Sequence, residues 1–304
     1  MYDLNLINSP INNLNIFIGD CQEKDETKSL MPFMEEAQNI NRNIKKCFCN
    51  FLENEDNIGK LQRVKDCSNI ITFKHYEKLG LKKLDSINLC RERLCLNCCV
   101  ALARKNCLTL ERVLKKHKGQ LYFITLTVRN IKGENLRRTI SNMNKAFTGF
   151  ARAEGVDSFY KSVEITYNKK NNTYHPHIHF ISKKQFKNSY LNYTWAKWYN
   201  KKQGTNEKWL SCKCEKIDNI FSACCELNKY ITKPLNITDK TIDIFYKQLK
   251  GLRLHSSAGE FKKQVAEEKS LMEQENINKE SFLSDYDYKI LRYIYNGNNY
   301  IVEN

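Results

Sequence analysis

Three of the six histidines lie within five residues, at His175, His177 and His179. Alternate side chains of a β-strand project from the same face, so His177 and His179 are expected to point the same way. His175 joins them if the strand extends past Pro176. Two imidazoles at this spacing form half of a divalent metal site. A chance cluster of histidines on an exposed strand is the alternative.

Glu164 is the acidic residue expected to complete this site. It lies within YKSVEITYN (160–168), which alternates like a strand and is followed by a turn-forming Asn/Lys cluster and the histidine strand (174–182). We therefore predict an antiparallel hairpin, in which facing Cβ atoms are about 4.5–5.5 Å apart. Two imidazoles and one carboxylate with open positions suit Mg²⁺ or Mn²⁺ bound to a phosphate. Taken alone, Glu164 would be a solvated strand residue.

Glu226 and Tyr230 form a second pair with chemical potential, four residues apart in a helix predicted over 219–232. This spacing places both on one face of the helix. A tyrosine hydroxyl can attack a phosphodiester and retain the strand covalently, and a nearby glutamate can activate water in a later step. The chain has 16 tyrosines, so a packing or surface role for Tyr230 is the alternative from spacing alone.

The charge distribution indicates a partner that carries phosphates. The chain has 50 Lys and Arg against 34 Asp and Glu, and residues 41–258 hold 42 of the basic and 18 of the acidic ones. This excess is typical of domains that bind a nucleic-acid backbone, although a solvated surface gives the same composition. No apolar run is long enough for a transmembrane helix, and the N-terminus does not resemble a signal peptide. We therefore expect a cytoplasmic protein with no membrane partner.

Three segments in this order resemble the motifs of rolling-circle plasmid replication initiators: FITLTVRN (123–130), HPHIHFI (175–181) and CELNKYITK (225–233). These initiators are HUH endonucleases, and the pattern is similar to the Rep_1-type family of Gram-positive plasmids. KGLRLHSSAGEFKK (250–263) is similar to the family's C-terminal motif, so the resemblance covers roughly residues 65–263. Each motif alone is modest, but the ordered set is specific.

The resemblance implies a role for each residue of the two pairs. His177 and His179 would be the metal ligands, with Glu164 as the third. Tyr230 would nick the DNA, which gives a 5′-phosphotyrosyl intermediate and a 3′-OH primer. Glu226 would promote the terminating hydrolysis. A glutamate stands where two-tyrosine phage and transposon relatives carry a second tyrosine.

A cysteine cluster also fits the family. Cys90, Cys95 and Cys98 resemble its C-x-x-R-x-C-P-x-C segment, with leucine in place of the proline, and Cys67 stands in the position of its upstream cysteine. Four thiolates form a tetrahedral zinc site. The 13 cysteines of the chain are more typical of metal ligands or buried thiols than of disulfides in a reducing compartment. His75 is a competing ligand, and a run of free thiols is the alternative.

The DNA contacts expected from the sequence come from lysines near Tyr230 and from an aromatic helix. Lys233, three residues after Tyr230, is better placed than Lys229 to activate the hydroxyl. Trp195 and Trp198 could stack on bases, although Trp195 also suits a core. The resemblance implies plasmid double-strand origin DNA as substrate, single-stranded at the nick, with host helicase and DNA polymerase as partners.

The predicted fold class is α+β: a central antiparallel sheet carrying the histidines with flanking helices, plus a small Cys-rich zinc-binding subdomain. The expected segments are a partly disordered N-terminal accessory arm (1–64), a Cys-rich segment with a basic helix (65–118), an HUH endonuclease domain (119–263) and an acidic, helical tail (264–304). Two alternative functions remain open: an HUH relaxase, mobilisation or transposition nuclease, and a non-catalytic zinc DNA-binding regulator.

Overall fold

The computed structural model of the protein describes residues 25–228 and 238–303, with the side chains of 26, 29 and 33 left out. The chain divides into two compact units. The first comprises the described parts of Met1–Lys105, Ile237–Ile242 and Leu271–Asn304, and the second those of Asn106–Asn236 and Asp243–Ser270.

The helices are α1 (Glu26–Asn54), α2 (Ile58–Asp66), α3 (Leu96–Lys116), α4 (Leu136–Ala153), α5 (Asn188–Gln203), α6 (Ile220–Leu227), α7 (Asp239–Leu249) and α8 (Gly259–Leu283). The strands are β1 (Ile70–Tyr76), β2 (Leu81–Ile87), β3 (Tyr122–Thr127), β4 (Phe159–Asn168), β5 (Thr173–Ser182), β6 (Lys213–Lys216), β7 (His255–Ala258), β8 (Lys289–Tyr295) and β9 (Tyr300–Val302). None of these helices is long and apolar enough to cross a bilayer.

The first unit contains an antiparallel sheet in the order β2-β1-β8-β9. Its core lies between this sheet and α1, where Leu30 and Met34 from one helix face pack with Ile71, Phe73 and Tyr300. The Asp25 side chain caps α1 by accepting a hydrogen bond from the backbone N–H of Thr27. The helix therefore begins inside the segment expected to be a partly disordered arm; residues 1–24 of that arm lie outside the described residues.

The tail expected to be acidic and helical (264–304) is helical up to Leu283, and strands follow. After α8 ends at Leu283, β8 pairs with β1 and β9 pairs with β8. The partners β1 and β8 are more than 200 residues apart in the chain, so no local pattern reports their pairing. Leu291 and Tyr293 pack against the first unit's core, and pairing with β1 satisfies the backbone groups of this segment.

The second unit contains an antiparallel sheet in the order β6-β3-β5-β4-β7. The predicted hairpin is β4 and β5, joined by the Asn/Lys turn. Helices α4 and α5 cover one face: the ring centroid of Phe147 lies 5.1 Å from that of Phe180 on β5, and Phe150 contacts Trp195 of α5. The α+β class with antiparallel sheets and flanking helices is confirmed. Because side chains alternate, the odd-numbered residues of β5 project from the opposite face.

The basic helix expected within residues 65–118 spans Leu96–Lys116, so Cys98 lies in its first turn. The helix predicted over 219–232 is described from Ile220 to Leu227, with Asn228 at its C-cap, and residues 229–237 lie outside the described part of the chain.

Candidate functional site

Glu164, His177 and His179 come together on the sheet face opposite α4 and α5. Glu164 lies directly across the hairpin from His177, as the predicted register requires. One potential ligand atom from each residue lies within 4.8 Å of the others, a separation that allows all three to bind a single ion. Nε2 of His179 is 3.0 Å from Oε2 of Glu164. The sequence therefore identified a group that could hold a metal ion.

Burial distinguishes this group from a solvated strand surface. Glu164 is 6% exposed and His179 is 7% exposed, so the solvated-carboxylate alternative for Glu164 does not describe the structure. A buried carboxylate needs a compensating charge or hydrogen bonds, which a histidine and a cation supply together. The ring centroids of His175 and His177 are 4.3 Å apart, so His175 does join the row. Burial lowers the pKa of His175, which favours the neutral imidazole.

Thr125 of β3 is a contributor that sequence reasoning missed. It lies opposite His179 in the register, and its hydroxyl is 3.0 Å from Nδ1 of that ring. A partner on one ring nitrogen fixes the orientation of the other, which here is turned toward Glu164. The sequence feature that could have indicated Thr125 is the pair of polar side chains, Thr125 and Thr127, at alternate positions of an otherwise apolar strand.

Cys67, Cys90, Cys95 and Cys98 form the second candidate metal group, in the first unit. The sulfur of Cys67 is 3.5 Å from those of Cys95 and Cys98, and Cys90 is 3.5 Å from Cys98. These separations are far longer than a disulfide and close to the sulfur–sulfur distance of about 3.8 Å that follows from Zn–S bonds of about 2.3 Å in a tetrahedron. The donor set therefore fits zinc. His75 lies outside the group, in β1.

The surroundings of the Cys67 sulfur favour its thiolate, whereas hydrogen bonding to the neighbouring sulfurs raises the pKa of Cys90 and Cys98. Hydrogen bonds from the thiols of Cys90, Cys95 and Cys98 lower the pKa of Cys67. The backbone N–H of Cys90 donates to the Cys67 sulfur at 3.3 Å, and that of Arg91 donates to the Cys98 sulfur at 3.2 Å. The thiolate is the form of cysteine that binds metal, so a cation bound here would displace the protons that the other thiols retain.

The predicted nucleophile lies outside the described residues, as do Lys229 and Lys233. Tyr230 therefore stays a prediction, and so do the roles of the two lysines. Glu226 is described: it is half-buried and is the penultimate residue of α6.

The two tryptophans expected to bind DNA lie on α5, across the sheet from the histidines. Trp195 is fully buried, and its indole N–H donates to the backbone carbonyl of Thr127 at 2.8 Å. The prediction that it stacks on bases is wrong, because a ring with no exposed surface cannot meet a base. Trp198 is half-buried against Gly149, with the ammonium of Lys201 5.7 Å from its ring centroid, and its contact with DNA stays a prediction.

The chain matches one protein-family model over most of its length. A family model described as "Replication protein" (Rep_1) matches residues 81–301, which is well over half of the chain. The chain belongs to the Rep_1 family. The matched region includes the Glu164, His177 and His179 group and three of the four clustered cysteines.

Individual relatives agree with this Rep_1 assignment. The chain is similar to "Protein rep" of Bacillus amyloliquefaciens, with 34% identity over 130 residues, 40% of this chain and 38% of the relative. It is 30% identical to "Protein rep" of Staphylococcus aureus over 142 residues, 44% of this chain and 62% of that protein. The match thus spans about two fifths to three fifths of these relatives. No solved structure matches the chain.

Proposed function

We propose that this Rep_1 protein is a plasmid rolling-circle replication initiator of the HUH type, which nicks and rejoins DNA at the double-strand origin. The observation that carries the proposal is the grouping of Glu164, His177 and His179 around one point of a sheet face in a chain of this family. The basic excess of residues 41–258 supports a DNA substrate.

Glu164, His177 and His179 are proposed to hold Mg²⁺ or Mn²⁺. When bound, the cation would offset the charge of the scissile phosphate. The chain's own contribution is a rigid platform, because two of the three ligands are buried and Thr125 orients His179. A phosphate placed there would meet a fixed geometry rather than mobile side chains.

Tyr230 is proposed as the nucleophile. Its oxygen forms a bond to phosphorus while the bond from phosphorus to the 3′ oxygen breaks, and the tyrosine proton is transferred overall to that oxygen. The products are a 5′-phosphotyrosyl protein and a 3′-OH from which a host polymerase, with a helicase, extends the strand. Lys233, or less favourably Lys229, would stabilise the phenolate. No external energy is needed for rejoining, because the diester is conserved.

Glu226 is proposed to end the cycle by directing water to the regenerated phosphotyrosine, which releases the strand. In this assignment residues 119–263 carry the chemistry and residues 65–118 carry a structural zinc held by Cys67, Cys90 and the two cysteines that follow. A closed set of four thiolates leaves no position for substrate, so its role would be to fix the fold around it.

The decisive test is a nicking assay on a single-stranded oligonucleotide taken from the DNA beside the gene, with Mn²⁺ or Mg²⁺ and a denaturing gel. We expect a metal-dependent covalent protein–DNA band that Tyr230→Phe abolishes. Tyr193→Phe is the matched control, because Tyr193 is 63% exposed on α5, across the sheet from the metal group.

Other outcomes point to the competing functions. Nicking that survives in Tyr230→Phe would assign the attack to another residue. Binding without any nicking would favour a zinc DNA-binding regulator. A covalent complex that persists after one round, with no released product, would favour a relaxase or a transposition nuclease over a replication initiator.

A further inference from the structure

An exposed indole lies at the edge of the second unit's sheet. Trp209, Ser211 and Lys213 are exposed, whereas Leu210 and Cys212 between them are buried. This period of two is that of an extended chain whose alternate side chains face solvent and core. Trp209 is 57% exposed, and its indole forms no hydrogen bond or ring contact with any described residue. An exposed apolar side chain of this size, at an otherwise well-packed sheet edge, indicates a site where a partner binds.

The pairing of β6 with β3 shows which sheet face this is. Lys213 lies opposite Thr125, and the Thr127 hydroxyl donates to the backbone carbonyl of Ser211 at 2.5 Å. Thr125 and Thr127 lie in turn opposite His179 and His177. The exposed residues of the 209–213 segment therefore project from the same face as the metal group. Two strand spacings, about 10 Å, separate the line of histidines from this edge.

The buried side of the segment is held by α5 on the other face. The side chain of Asn192 accepts a hydrogen bond from the Cys212 N–H at 2.7 Å, and its backbone carbonyl accepts one from Leu210 at 3.2 Å. These bonds prevent the segment from turning over. Trp209 is thus fixed on the histidine face, whereas the exposed Tyr193 belongs to the α5 face.

The charge around Trp209 is positive. Residues 204–216, which follow α5, contain three lysines and two glutamates. One glutamate, Glu207, is paired with Arg129 at 3.1 Å, and the other, Glu215, is paired with Lys213 at 3.3 Å. Lys208, next to Trp209, forms no ion pair within the described ranges and is exposed. An aromatic ring beside an exposed, unpaired lysine has the chemistry of a surface that stacks a base and neutralises a phosphate.

We propose that Trp209 is a stacking site for a base of single-stranded DNA whose phosphate occupies the Glu164, His177 and His179 group. The proposal rests on the function proposed above, which supplies the single strand. Stacking on an indole is tolerant of base identity, so Trp209 would hold the strand in position without reading its sequence. The single strand would then follow the sheet face from the metal group past Thr127 and Ser211 to Trp209.

The test is tryptophan fluorescence of the full chain titrated with oligo(dT), without added divalent cation and at low salt. The protein has three tryptophans, of which Trp195 is fully buried and Trp198 half-buried. We expect oligo(dT) to quench the emission and a duplex of equal length to quench it much less. In Trp209→Phe the quenching disappears while the affinity for a labelled oligo(dT), measured by anisotropy, changes by less than about threefold, because a phenyl ring still stacks.

Trp209→Ala should weaken oligo(dT) binding by about 5- to 150-fold, the range for loss of one stacked base. Tyr193→Ala, an equally exposed aromatic on the other face, should leave it within about twofold. Wild-type affinity in Trp209→Ala, quenching retained in Trp209→Phe, or equal losses in Trp209→Ala and Tyr193→Ala would each overturn the proposal. Oligo(dT) binding is measured without the divalent cation that nicking requires, so it is independent of the nicking reaction. A failed nicking assay with intact quenching would refute only the proposed function.

Discussion

The Thr125 hydroxyl lies 3.0 Å from Nδ1 of His179, and on the other side of the same ring Nε2 lies 3.0 Å from Oε2 of Glu164. The imidazole is thus held at both nitrogens by side chains from the strands on either side of β5. Without a cation, Nε2–H donates to Glu164 and Nδ1 accepts from the Thr125 hydroxyl; with a cation bound, Nδ1–H would donate to that hydroxyl and leave the lone pair of Nε2 for the cation. Thr125 is therefore a positioning residue for this group.

Thr125→Val tests this positioning role, because valine keeps the shape of the side chain but removes the hydrogen bond. We expect the affinity for Mn²⁺ to fall by about 10- to 100-fold, as is typical when the outer partner of a metal-binding histidine is lost. Saturating Mn²⁺ should then restore nicking, which a merely destabilised fold would not allow. Thr148→Val, on the exposed side of α4, is the control. Unchanged Mn²⁺ affinity in Thr125→Val would remove Thr125 from the site.

Glu164→Gln should separate binding of the cation from later chemistry. The amide cannot supply the negative charge that a hard divalent cation prefers, so Mn²⁺ affinity should fall by at least about 100-fold and nicking should stop. Glu226→Gln is the matched change on α6, outside the metal group. It should bind Mn²⁺ and nick like wild type but accumulate the covalent complex. Calorimetric titration with Mn²⁺ and a denaturing gel distinguish the two variants, and equal Mn²⁺ affinity in both would contradict the assignment of Glu164.

Cys98→Ser should release zinc from the purified protein. The sulfur of Cys98 lies 3.5 Å from those of Cys67 and Cys90, so its loss opens the tetrahedron, and the Tm should fall by several degrees. The neighbouring Cys99→Ser is the control, since the Cys99 thiol donates to the carbonyl of Arg93 instead. Metal analysis and thermal melting are the measurements. If the wild-type protein, isolated without chelators, contains no zinc, the four cysteines are free thiols and the zinc assignment is wrong.

Lys161 gives the second unit a pH-dependent stability. Burial, assisted by the charge of Arg253, lowers its pKa to about 8. Between pH 8 and the unfolded value near 10.5 the unfolded chain binds more protons, so the folded state gains stability as the pH rises. Relative to Lys161→Met, wild type should gain up to about 3 kcal/mol of unfolding free energy from pH 7 to pH 10.5. Urea unfolding checks this, with exposed Lys145→Met as control. A difference independent of pH would refute it.

Gly149 provides the close approach between α4 and α5. A Cβ at this position would lie 2.7 Å from Cε3 of Trp198 and closer still to Cζ3. Gly149→Ala should therefore destabilise the protein by about 1–3 kcal/mol despite the better helix propensity of alanine. Combining it with Trp198→Leu should recover most of the loss, because the smaller side chain removes the overlap. Additive losses in the double variant, measured by denaturant unfolding, would show that the two residues are not in contact.

The sequence predicted most of the metal group because its signals are local. The alternation of His175, His177 and His179 and the turn between two alternating segments together determine the β4–β5 hairpin, and the hairpin register places Glu164 across from His177. The order of the motifs and the spacing of the cysteines likewise identified the family and the four sulfurs that meet in the structure. These features depend on residues close in the chain or on short motifs.

Only the tertiary structure decided which distant residues join them. Thr125 reaches His179 across 54 residues, because β3 pairs with β5 although α4 and β4 lie between them in the chain. The same packing buries Trp195 and leaves Trp209 exposed on the histidine face, although both are tryptophans in a basic, aromatic segment. The alternation of side chains within a strand shows only that the strand has two faces. The helices that cover one face determine which side chains remain for DNA and metal.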